Sequence, residues 1–205
     1  MAGELTAVLI TPPAGEPDTI LGIAGRALQG GITAIVVRRP EATAREVFEF
    51  TRRLRPATRK LGCMLLVSDR ADVAVATDAD GVHLGYRSLP LAAARRAIKP
   101  AMKIGGSAHN LDEVGQLERE GADYLFLSPV FATSSHPDAE PLGLEHYREA
   151  VLRASVPVIA LGGVTSENVR LVAQAGGHGA AAIDGFYGVE DSAEAARAFR
   201  AAFAP

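Results

Sequence analysis

The chain has 205 residues, of which 48% are hydrophobic and 22% charged, a mixture typical of a soluble globular protein with a sizeable buried core. Its formal net charge of −3 argues against a nucleic-acid-binding protein, because such proteins normally carry a basic surface. No apolar stretch approaches the roughly 18 residues that a membrane-spanning helix needs, so we expect neither nucleic acid nor a membrane as a partner.

Short apolar runs alternate with longer amphipathic stretches along the chain. The short runs are nearly continuous in apolar residues, as is typical of strands buried on both faces. We predict eight strands, at 6–11, 34–39, 64–69, 81–85, 103–108, 124–129, 157–162 and 179–184. The predicted helices span 18–29, 43–59, 71–77, 89–98, 111–120, 144–154, 166–176 and 191–203.

Eight alternations of strand and helix predict an α/β fold, a (β/α)8 TIM barrel that residues 1–205 form as a single domain. An open doubly wound sheet is the structural alternative. In such a barrel, the reactive groups lie in the loops that follow the carboxyl ends of the strands. The residues directly after each predicted strand are therefore the candidates for function.

The location of the protein is indicated by its amino terminus and its cysteine content. The first residues show no basic segment followed by a long apolar one, so we expect no signal peptide. The single cysteine, Cys63, lies in an apolar run and can form no internal disulfide, which fits a reducing compartment. We therefore expect a cytoplasmic protein.

A phosphate site is predicted after the seventh and eighth strands, where barrels of this type commonly bind phosphate. Gly162 and Gly163 end the seventh run and allow a ligand to approach the backbone closely. Ile183 and Asp184 end the eighth run, so backbone N–H groups of these four residues are predicted to bind the phosphate. The alternative is an ordinary turn with a helix cap. The Asp184 carboxylate would repel a phosphate unless it points away and caps the next segment.

The order of short motifs resembles thiamine phosphate synthase and its relative TenI, a thiazole tautomerase. The resemblance covers almost the whole chain. It is carried by VLIT (8–11), GGITAIVVR (30–38), SDRADVA (68–74), ADGVHLG (79–85), IGGSAHNLDE (104–113), GADYLFLSPVFATSSHP (121–137), PLGLE (141–145) and PVIALGGV (157–164). It implies this same barrel, with a thiazole phosphate bound at the ends of strands seven and eight.

The chain departs from the synthase where the resemblance implies a magnesium–diphosphate site. Of the side chains implied there, Arg38 and Asp69 match. The replacements are Val36 for a glutamine, Pro40 for a lysine, Ser68 for an asparagine, Ser88 for a second aspartate and His136 for a second lysine. Arg39 and Arg87 are extra cations that could partly supply the lost positive charge around a leaving diphosphate.

Whether a metal cofactor is expected depends on Asp69, the carboxylate that remains at the implied magnesium site. Magnesium needs hard oxygen ligands and is usually held by one or two carboxylates together with substrate phosphates. Because one carboxylate remains, we expect no metal and no other cofactor, with magnesium at Asp69 only if the chain is a synthase.

The leading expectation is a TenI-like thiazole tautomerase, which moves a proton on a thiazole carboxylate phosphate. This reaction needs a phosphate anchor and an acid–base group near the ring, and a histidine suits the second role. The histidine credited in TenI falls at Pro129, so His136 in the same loop is the predicted catalytic residue, against the alternative of a solvated loop residue. The predicted substrate-binding residues are Arg38, Ser107, Thr133 and Ser135.

Two other functions stay open. One is a thiamine phosphate synthase that joins hydroxymethylpyrimidine diphosphate to thiazole phosphate. The other is a non-catalytic phosphometabolite-binding or regulatory protein. The expected partner is a small-molecule thiazole phosphate, and the sequence leaves a homodimer open. His83 lies within the fourth strand, and we interpret it as a structural histidine.

Overall fold

The computed structural model describes residues 5–135 and 137–204. Eight parallel strands follow one another in chain order and close into a barrel, in which the first strand pairs with the eighth. The strands are β1 (Ala7–Ile10), β2 (Ala34–Val37), β3 (Met64–Ser68), β4 (Gly81–Leu84), β5 (Lys103–Ala108), β6 (Tyr124–Leu127), β7 (Val158–Ala160) and β8 (Gly179–Ala182). The predicted (β/α)8 barrel is confirmed, and each strand lies inside one predicted run.

Nine helices lie in the described part of the chain and surround the barrel. They are α1 (Pro17–Gly30), α2 (Ala44–Leu61), α3 (Ala71–Ala76), α4 (Leu91–Ala97), α5 (Leu111–Arg119), α6 (Gly143–Arg153), α7 (Val169–Gln174), α8 (Asp184–Tyr187) and α9 (Ser192–Ala202). None of those helices combines the length and the apolar character that a bilayer span requires.

Local signals explain where the helices begin and end. Thr43 and Glu46 form a reciprocal capping box at the start of α2, and Gly62 ends that helix in the left-handed conformation at φ 66°. Asn110 caps α5 by accepting a hydrogen bond from the Glu113 N–H.

One helix was not predicted. The eighth run was expected to remain extended to Asp184, but β8 ends at Ala182 and α8 follows immediately. Ile183 has φ −101° and ψ −73°, and its carbonyl accepts 3.0 Å hydrogen bonds from the N–H groups of Phe186 and Tyr187. The chain therefore turns away from the barrel directly at the end of the strand.

The strand side chains divide into two layers, because successive residues of a strand point to opposite faces. The inner cluster fills the barrel and contains Val8, Ile10, Ala34, Val36, Leu66, Tyr124, Phe126, Ile159 and Ala181. The outer cluster, under the helices, includes Val37 and Leu65. Space inside is tight, since a Cβ atom on Gly105 would lie 2.2 Å from the Tyr124 ring.

The barrel is closed by contacts between the first and last elements. Beyond the β1–β8 pairing, α1 and α9 approach so closely that a Cβ atom on Gly30 would lie 2.2 Å from the Ala193 carbonyl oxygen. The Ser192 hydroxyl donates to the Ile23 carbonyl at 3.3 Å, and the Tyr187 hydroxyl donates to the Ile20 carbonyl at 3.4 Å. Both ends of the described chain are thus needed to complete one core.

Candidate active site

Backbone contacts bring together the loops after β6 and β7. Gly162 has φ 89°, and a Cβ atom there would lie 2.7 Å from the Pro129 Cα. Gly163 has φ 64°, and its Cβ would lie 2.2 Å from the Ala132 carbonyl oxygen. Left-handed conformation and close approach both require glycine at these positions. These two glycines therefore let the loops after β6 and β7 pack backbone against backbone.

The loop after β8 joins the same group. A Cβ atom on Gly185 would lie 2.8 Å from the Val164 carbonyl oxygen, which places the start of α8 directly beside the loop after β7. The Ser134 hydroxyl donates a 2.7 Å hydrogen bond to the Asp184 carboxylate and so connects the loops after β6 and β8. Asp184 is exposed and makes no capping hydrogen bond at α8, contrary to the role considered for it.

The four residues predicted to bind phosphate, Gly162, Gly163, Ile183 and Asp184, therefore lie on adjoining loops. The Asn168 side-chain amide donates to the Gly163 carbonyl at 2.9 Å and holds that loop in place. This arrangement leaves the turn between β7 and α7 facing the start of α8. We refer to the loops after β6, β7 and β8 as the phosphate side.

The loop after β6 also carries two predicted substrate-binding residues. Thr133 is half-buried and its hydroxyl accepts a 3.4 Å hydrogen bond from the N–H of Ser135, which is exposed. His136, the predicted catalytic residue, lies outside the described residues. Its role stays a prediction.

On the opposite side of the barrel mouth, Arg38 follows β2. Its backbone is clamped by Thr11, whose hydroxyl accepts from the Arg38 N–H at 2.8 Å and donates to the Arg38 carbonyl at 3.2 Å. Alternation from Val36, which is inside the barrel, turns Arg38 toward the barrel axis. Within the described residues, its guanidinium makes no hydrogen bond or ion pair, so it can bind an anionic ligand.

The extra cations considered from the sequence do not join Arg38. Arg39 turns outward, where its guanidinium donates to the Gly15 carbonyl at 3.2 Å and lies 5.1 Å from the centre of the Phe50 ring. Arg87 is exposed in the loop after β4 and lies over the Tyr86 ring at 5.6 Å. Arg39 therefore makes its contacts outside the barrel mouth, while Arg87 lies exposed at the edge of the mouth.

Asp69 lies at the end of β3 with a left-handed backbone at φ 63°. Its Oδ1 accepts hydrogen bonds from the Gly85 N–H at 3.1 Å and from the Ser88 hydroxyl, and its Oδ2 accepts from the Ser68 hydroxyl at 2.9 Å. Partial burial opposes ionisation, but these three hydrogen bonds outweigh it, so the pKa of Asp69 lies below its usual value. The carboxylate is therefore charged at neutral pH.

The hydrogen bonds of Asp69 limit how it could hold magnesium. A carboxylate offers about four lone-pair positions, and the three donors occupy both positions of Oδ1 and one of Oδ2. No group of three His, Cys, Asp or Glu side chains in the described residues could hold a metal ion. Asp69 therefore fits magnesium as one single-oxygen ligand, with substrate phosphates and water supplying the rest. We refer to Arg38, Asp69 and Ser88 as the diphosphate side.

Between the two sides, three polar side chains meet inside the barrel. His83 is only 5% exposed; its Nε2 lies 2.9 Å from the Ser107 Oγ and its Nδ1 lies 3.3 Å from the Tyr124 hydroxyl. The imidazole stacks on Phe126 with 4.1 Å between ring centroids. Burial lowers the pKa of His83 to about 4, although the Asp69 charge opposes this, so the imidazole is neutral at pH 7.

The sequence predicts a structural histidine at position 83, but not its contacts with Ser107 and Tyr124. The alternation within β6 is one signal for this cluster of buried polar side chains, because Tyr124 and Phe126 are two residues apart and are large for an interior position. The glycine opposite His83 in the β4–β5 register, Gly105, is the second signal, since it makes room for those rings.

A cavity of about 620 Å³ lies at the opposite end of the barrel, at the amino ends of the strands. Lys103, Asp123 and His178 are its main polar residues. Reactive groups of (β/α)8 barrels lie at the carboxyl ends instead. We therefore assign the candidate active site to the face that carries the phosphate and diphosphate sides.

Sequence comparisons identify relatives over nearly the whole chain. A family model described as thiamine monophosphate synthase matches residues 7–186. A thiamine-phosphate synthase of Chloroflexus aurantiacus is 43% identical over 176 residues, which cover 85% of this chain and 81% of that protein. A thiamine-phosphate synthase of Moorella thermoacetica is 40% identical over 194 residues, which cover 94% of this chain and 92% of that protein.

Solved structures agree with the fold. Thiamine phosphate pyrophosphorylase from Pyrococcus furiosus matches with a TM-score of 0.88 at 37% identity, covering 98% of this chain and 96% of that one. A 3-hexulose-6-phosphate synthase matches with a TM-score of 0.78 at 20% identity, covering 97% of this chain and 100% of that one, a likeness of fold alone.

Proposed function

Because this chain belongs to the thiamine monophosphate synthase family, we propose that it is a thiamine-phosphate synthase, which joins hydroxymethylpyrimidine diphosphate to a thiazole phosphate. The chain is an enzyme of thiamine biosynthesis. The observation that carries the finer proposal is that relatives matching nearly the whole chain bear the synthase name. The comparisons thus favour the synthase alternative over the tautomerase, which is the leading expectation from the sequence.

In this proposal, the thiazole phosphate binds on the phosphate side. Backbone N–H groups of Gly162, Gly163, Ile183 and Asp184 form its anchor, since a phosphate oxygen can only accept hydrogen bonds when it is fully ionised. Support comes from the close approach of the three loops, which holds these backbone groups in one place. Preorganised donors of this kind bind an anion without reorganising during the reaction.

The pyrimidine diphosphate binds on the diphosphate side, with Arg38 as the cation at its oxygens. Magnesium, held by Asp69 and the diphosphate itself, would neutralise the charge of the leaving group. In the reaction, the bond between the pyrimidine methylene carbon and the diphosphate oxygen breaks. The methylene carbon bonds to the thiazole nitrogen, and diphosphate leaves with the electron pair.

The test is to mix the protein with hydroxymethylpyrimidine diphosphate and thiazole phosphate and to measure thiamine phosphate and diphosphate. We expect both products in equal amounts with magnesium, and almost none when a chelator removes it. Absence of both products at saturating substrates and magnesium would overturn the proposal.

A second candidate, the thiazole tautomerase, is favoured by the diphosphate side. One carboxylate with three hydrogen bonds is a sparse metal site, and a tautomerase needs neither metal nor diphosphate. Its acid–base group would be His136. NMR of the thiazole carboxylate phosphate, without magnesium or pyrimidine, would reveal faster isomerisation in the presence of protein.

Replacing His136 with alanine should abolish that turnover and preserve phosphate binding. Thermal stabilisation by thiazole phosphate without either reaction would instead indicate a non-catalytic binding protein, because a ligand that binds only the folded state raises the melting temperature.

A further inference from the structure

The loop after β4 forms a tight turn that carries an arginine. The Ser88 N–H donates to the Gly85 carbonyl at 3.0 Å, and this hydrogen bond closes a four-residue β-turn. Tyr86 and Arg87 are the two central residues of the turn and form its tip. Both are exposed, Tyr86 to 82%, so the tip lies open at the edge of the barrel mouth.

Both ends of this turn are fixed to Asp69. The Gly85 N–H and the Ser88 hydroxyl donate to the Asp69 Oδ1, and the Gly85 N–H also lies 2.9 Å from the Ser88 Oγ. The lone pair of Asp69 that stays open for magnesium is on Oδ2, so a metal could bind there without breaking these bonds. The backbone of Arg87 is thus held beside the carboxylate, while its exposed side chain can rotate.

The Arg87 guanidinium keeps its hydrogen-bond donors available. In the part of the chain that the structure describes, it makes no hydrogen bond and no ion pair, and its Cζ lies 5.6 Å from the centre of the Tyr86 ring. A guanidinium that stacks on an aromatic face keeps the N–H groups at its edge free for phosphate oxygens. Tyr86 therefore supports Arg87 without neutralising its charge.

Arg87 and Arg38 lie on opposite sides of Asp69. The strands β2, β3 and β4 are neighbours in the barrel, and Arg38 follows β2, Asp69 follows β3 and the turn follows β4. Neighbouring strands are about 4.8 Å apart, which places the ends of β2 and β4 about 10 Å from each other. Two long arginine side chains can approach one ligand across that distance.

The charge balance of the diphosphate side depends on Arg87. The charges of Arg38 and Asp69 cancel, and the neighbouring Arg70 is paired with Asp72. Without a further cation, these groups would offer an anion little net attraction before magnesium binds. Arg87 supplies an excess positive charge.

We propose that Arg87 binds the oxygens of a diphosphate together with Arg38, so that two guanidinium groups hold the leaving group on either side of Asp69. The change required is rotation of one exposed side chain on a fixed turn. Negative charge grows on the diphosphate as its bond to carbon breaks, and a cation there stabilises it. Binding of a diphosphate follows from the geometry, and its identity as the pyrimidine substrate rests on the proposed synthase function.

The first test is calorimetric titration of the full chain with inorganic diphosphate and magnesium, with thiazole phosphate present to occupy the phosphate side. Arg87→Ala should bind diphosphate roughly tenfold more weakly, because charge-assisted hydrogen bonds are lost. Arg96→Ala is the matched control. Arg96 is also exposed, but it lies in the last turn of α4, away from the mouth, so its replacement should leave the affinity unchanged.

Two further changes separate a direct contact from a general effect of charge. Arg87→Lys should restore part of the affinity, since an ammonium group keeps the charge but lacks the planar fork of donors. Tyr86→Leu should weaken binding by about two- to fivefold through loss of the stacking, whereas Tyr86→Phe retains the ring and should bind like the wild type.

Equal affinities of Arg87→Ala and Arg96→Ala for diphosphate would overturn the inference, as would a wild-type protein that does not bind diphosphate. Arg87-dependent binding without synthase activity would refute the proposed function and leave the role of Arg87 standing. Synthase activity with binding that does not depend on Arg87 would do the reverse.

Discussion

The phosphate side and the diphosphate side lie on the same face of the barrel. The first presents backbone groups to a ligand, and the second presents side chains. On the phosphate side, loops meet through backbone atoms, with glycines at the points of closest approach. On the diphosphate side, the groups available to a ligand are the side chains of Arg38, Asp69 and Ser88, arranged by hydrogen bonds to one another and to the backbone.

This difference fits the departures that the resemblance to the synthase implies, which all lie outside the backbone anchor. Backbone N–H groups are present whatever the side chain, so a backbone-built anchor survives most substitutions that preserve its glycines. A site built from side chains changes with each substitution. The resemblance to the synthase implies a carboxylate at position 88, and a serine there offers no charged oxygen to a metal. In the proposed function, the phosphate side holds the ligand, while the diphosphate side determines which reaction follows.

The largest expected effect is on the diphosphate side. Asp69→Asn should lower kcat/KM for thiamine phosphate formation on the order of 100-fold, because it removes the charge that attracts magnesium. Asparagine tolerates the left-handed backbone at φ 63° and retains an oxygen for the Gly85 and Ser88 donors. The fold should therefore persist, which thermal unfolding would verify.

Asp72→Asn is the control for that variant. Asp72 lies three residues away, pairs with Arg70, and is exposed. Its replacement should leave activity unchanged. Equal magnesium-dependent activity in Asp69→Asn and wild type would show that Asp69 holds no metal.

On the phosphate side, the expected loss is structural. Gly162→Ala and Gly121→Ala place a Cβ on backbones with φ 89° and φ 88°, but only at Gly162 does the new atom meet a neighbour. Gly121→Ala should lower the unfolding free energy by about 1–2 kcal/mol, because the left-handed conformation is unfavourable for alanine. Gly162→Ala should cost roughly 1–3 kcal/mol more, from overpacking against Pro129.

Urea unfolding of both variants gives that difference, and binding of thiazole phosphate should weaken only in Gly162→Ala. Equal free energies for the two variants would mean that the loops after β6 and β7 are free to separate.

The buried histidine between the two sides makes stability depend on pH. The pKa of His83 is about 4 in the folded protein and about 6.5 when exposed, so the unfolded chain binds the extra proton between those values. Unfolding free energy should therefore fall as pH decreases from about 6.5 to about 4, by on the order of 3 kcal/mol in total. Urea unfolding from pH 4 to 7 measures this slope.

His83→Asn is the comparison variant, because it has no proton to gain. Its unfolding free energy should vary much less across that pH range, although its absolute stability will be lower. An identical slope in both proteins would show that other groups cause the acid sensitivity.

The smallest expected effect concerns Asp184. Asp184→Asn removes a negative charge from the phosphate side and retains an acceptor for Ser134, so thiazole phosphate should bind roughly two- to fivefold more tightly. Calorimetric titration measures the affinity. Glu190→Gln, an exposed carboxylate shortly after α8, should change it less. Weaker binding in Asp184→Asn would mean that the carboxylate itself contacts the ligand.

The barrel was predictable because strands buried on both faces leave a strong apolar signal. The run at 157–162, for example, contains β7 (Val158–Ala160). Strand ends were harder, since the same apolar composition serves a strand and a short helix. The eighth run shows this, because Ile183 continues the apolar pattern but already turns into α8.

In the candidate site, backbone features were easier to predict than side-chain directions. The pair Gly162 and Gly163 predicts a close approach to the backbone, and the structure shows that the loop after β6 makes one. The predicted approach of a ligand stays a prediction. Of the three donors to Asp69, Ser68 is its neighbour in the sequence, whereas Gly85 and Ser88 lie in the loop after β4, and only the folded chain brings them to the carboxylate. Likewise, Arg39 follows Arg38 directly, yet it points to the opposite side of the sheet because strand side chains alternate.

The contact between α1 and α9 has a consequence for folding. Hydrogen bonds such as Ser192 to Ile23 join residues 169 positions apart, and a Cβ on Gly30 would clash with Ala193. Contacts so distant along the chain require a large loop to close before they contribute, which slows folding. During synthesis, the β1 edge lacks its β8 partner until almost the whole chain has been made. A nascent chain therefore exposes one unpaired strand edge, a surface on which chaperones or unwanted self-association can act.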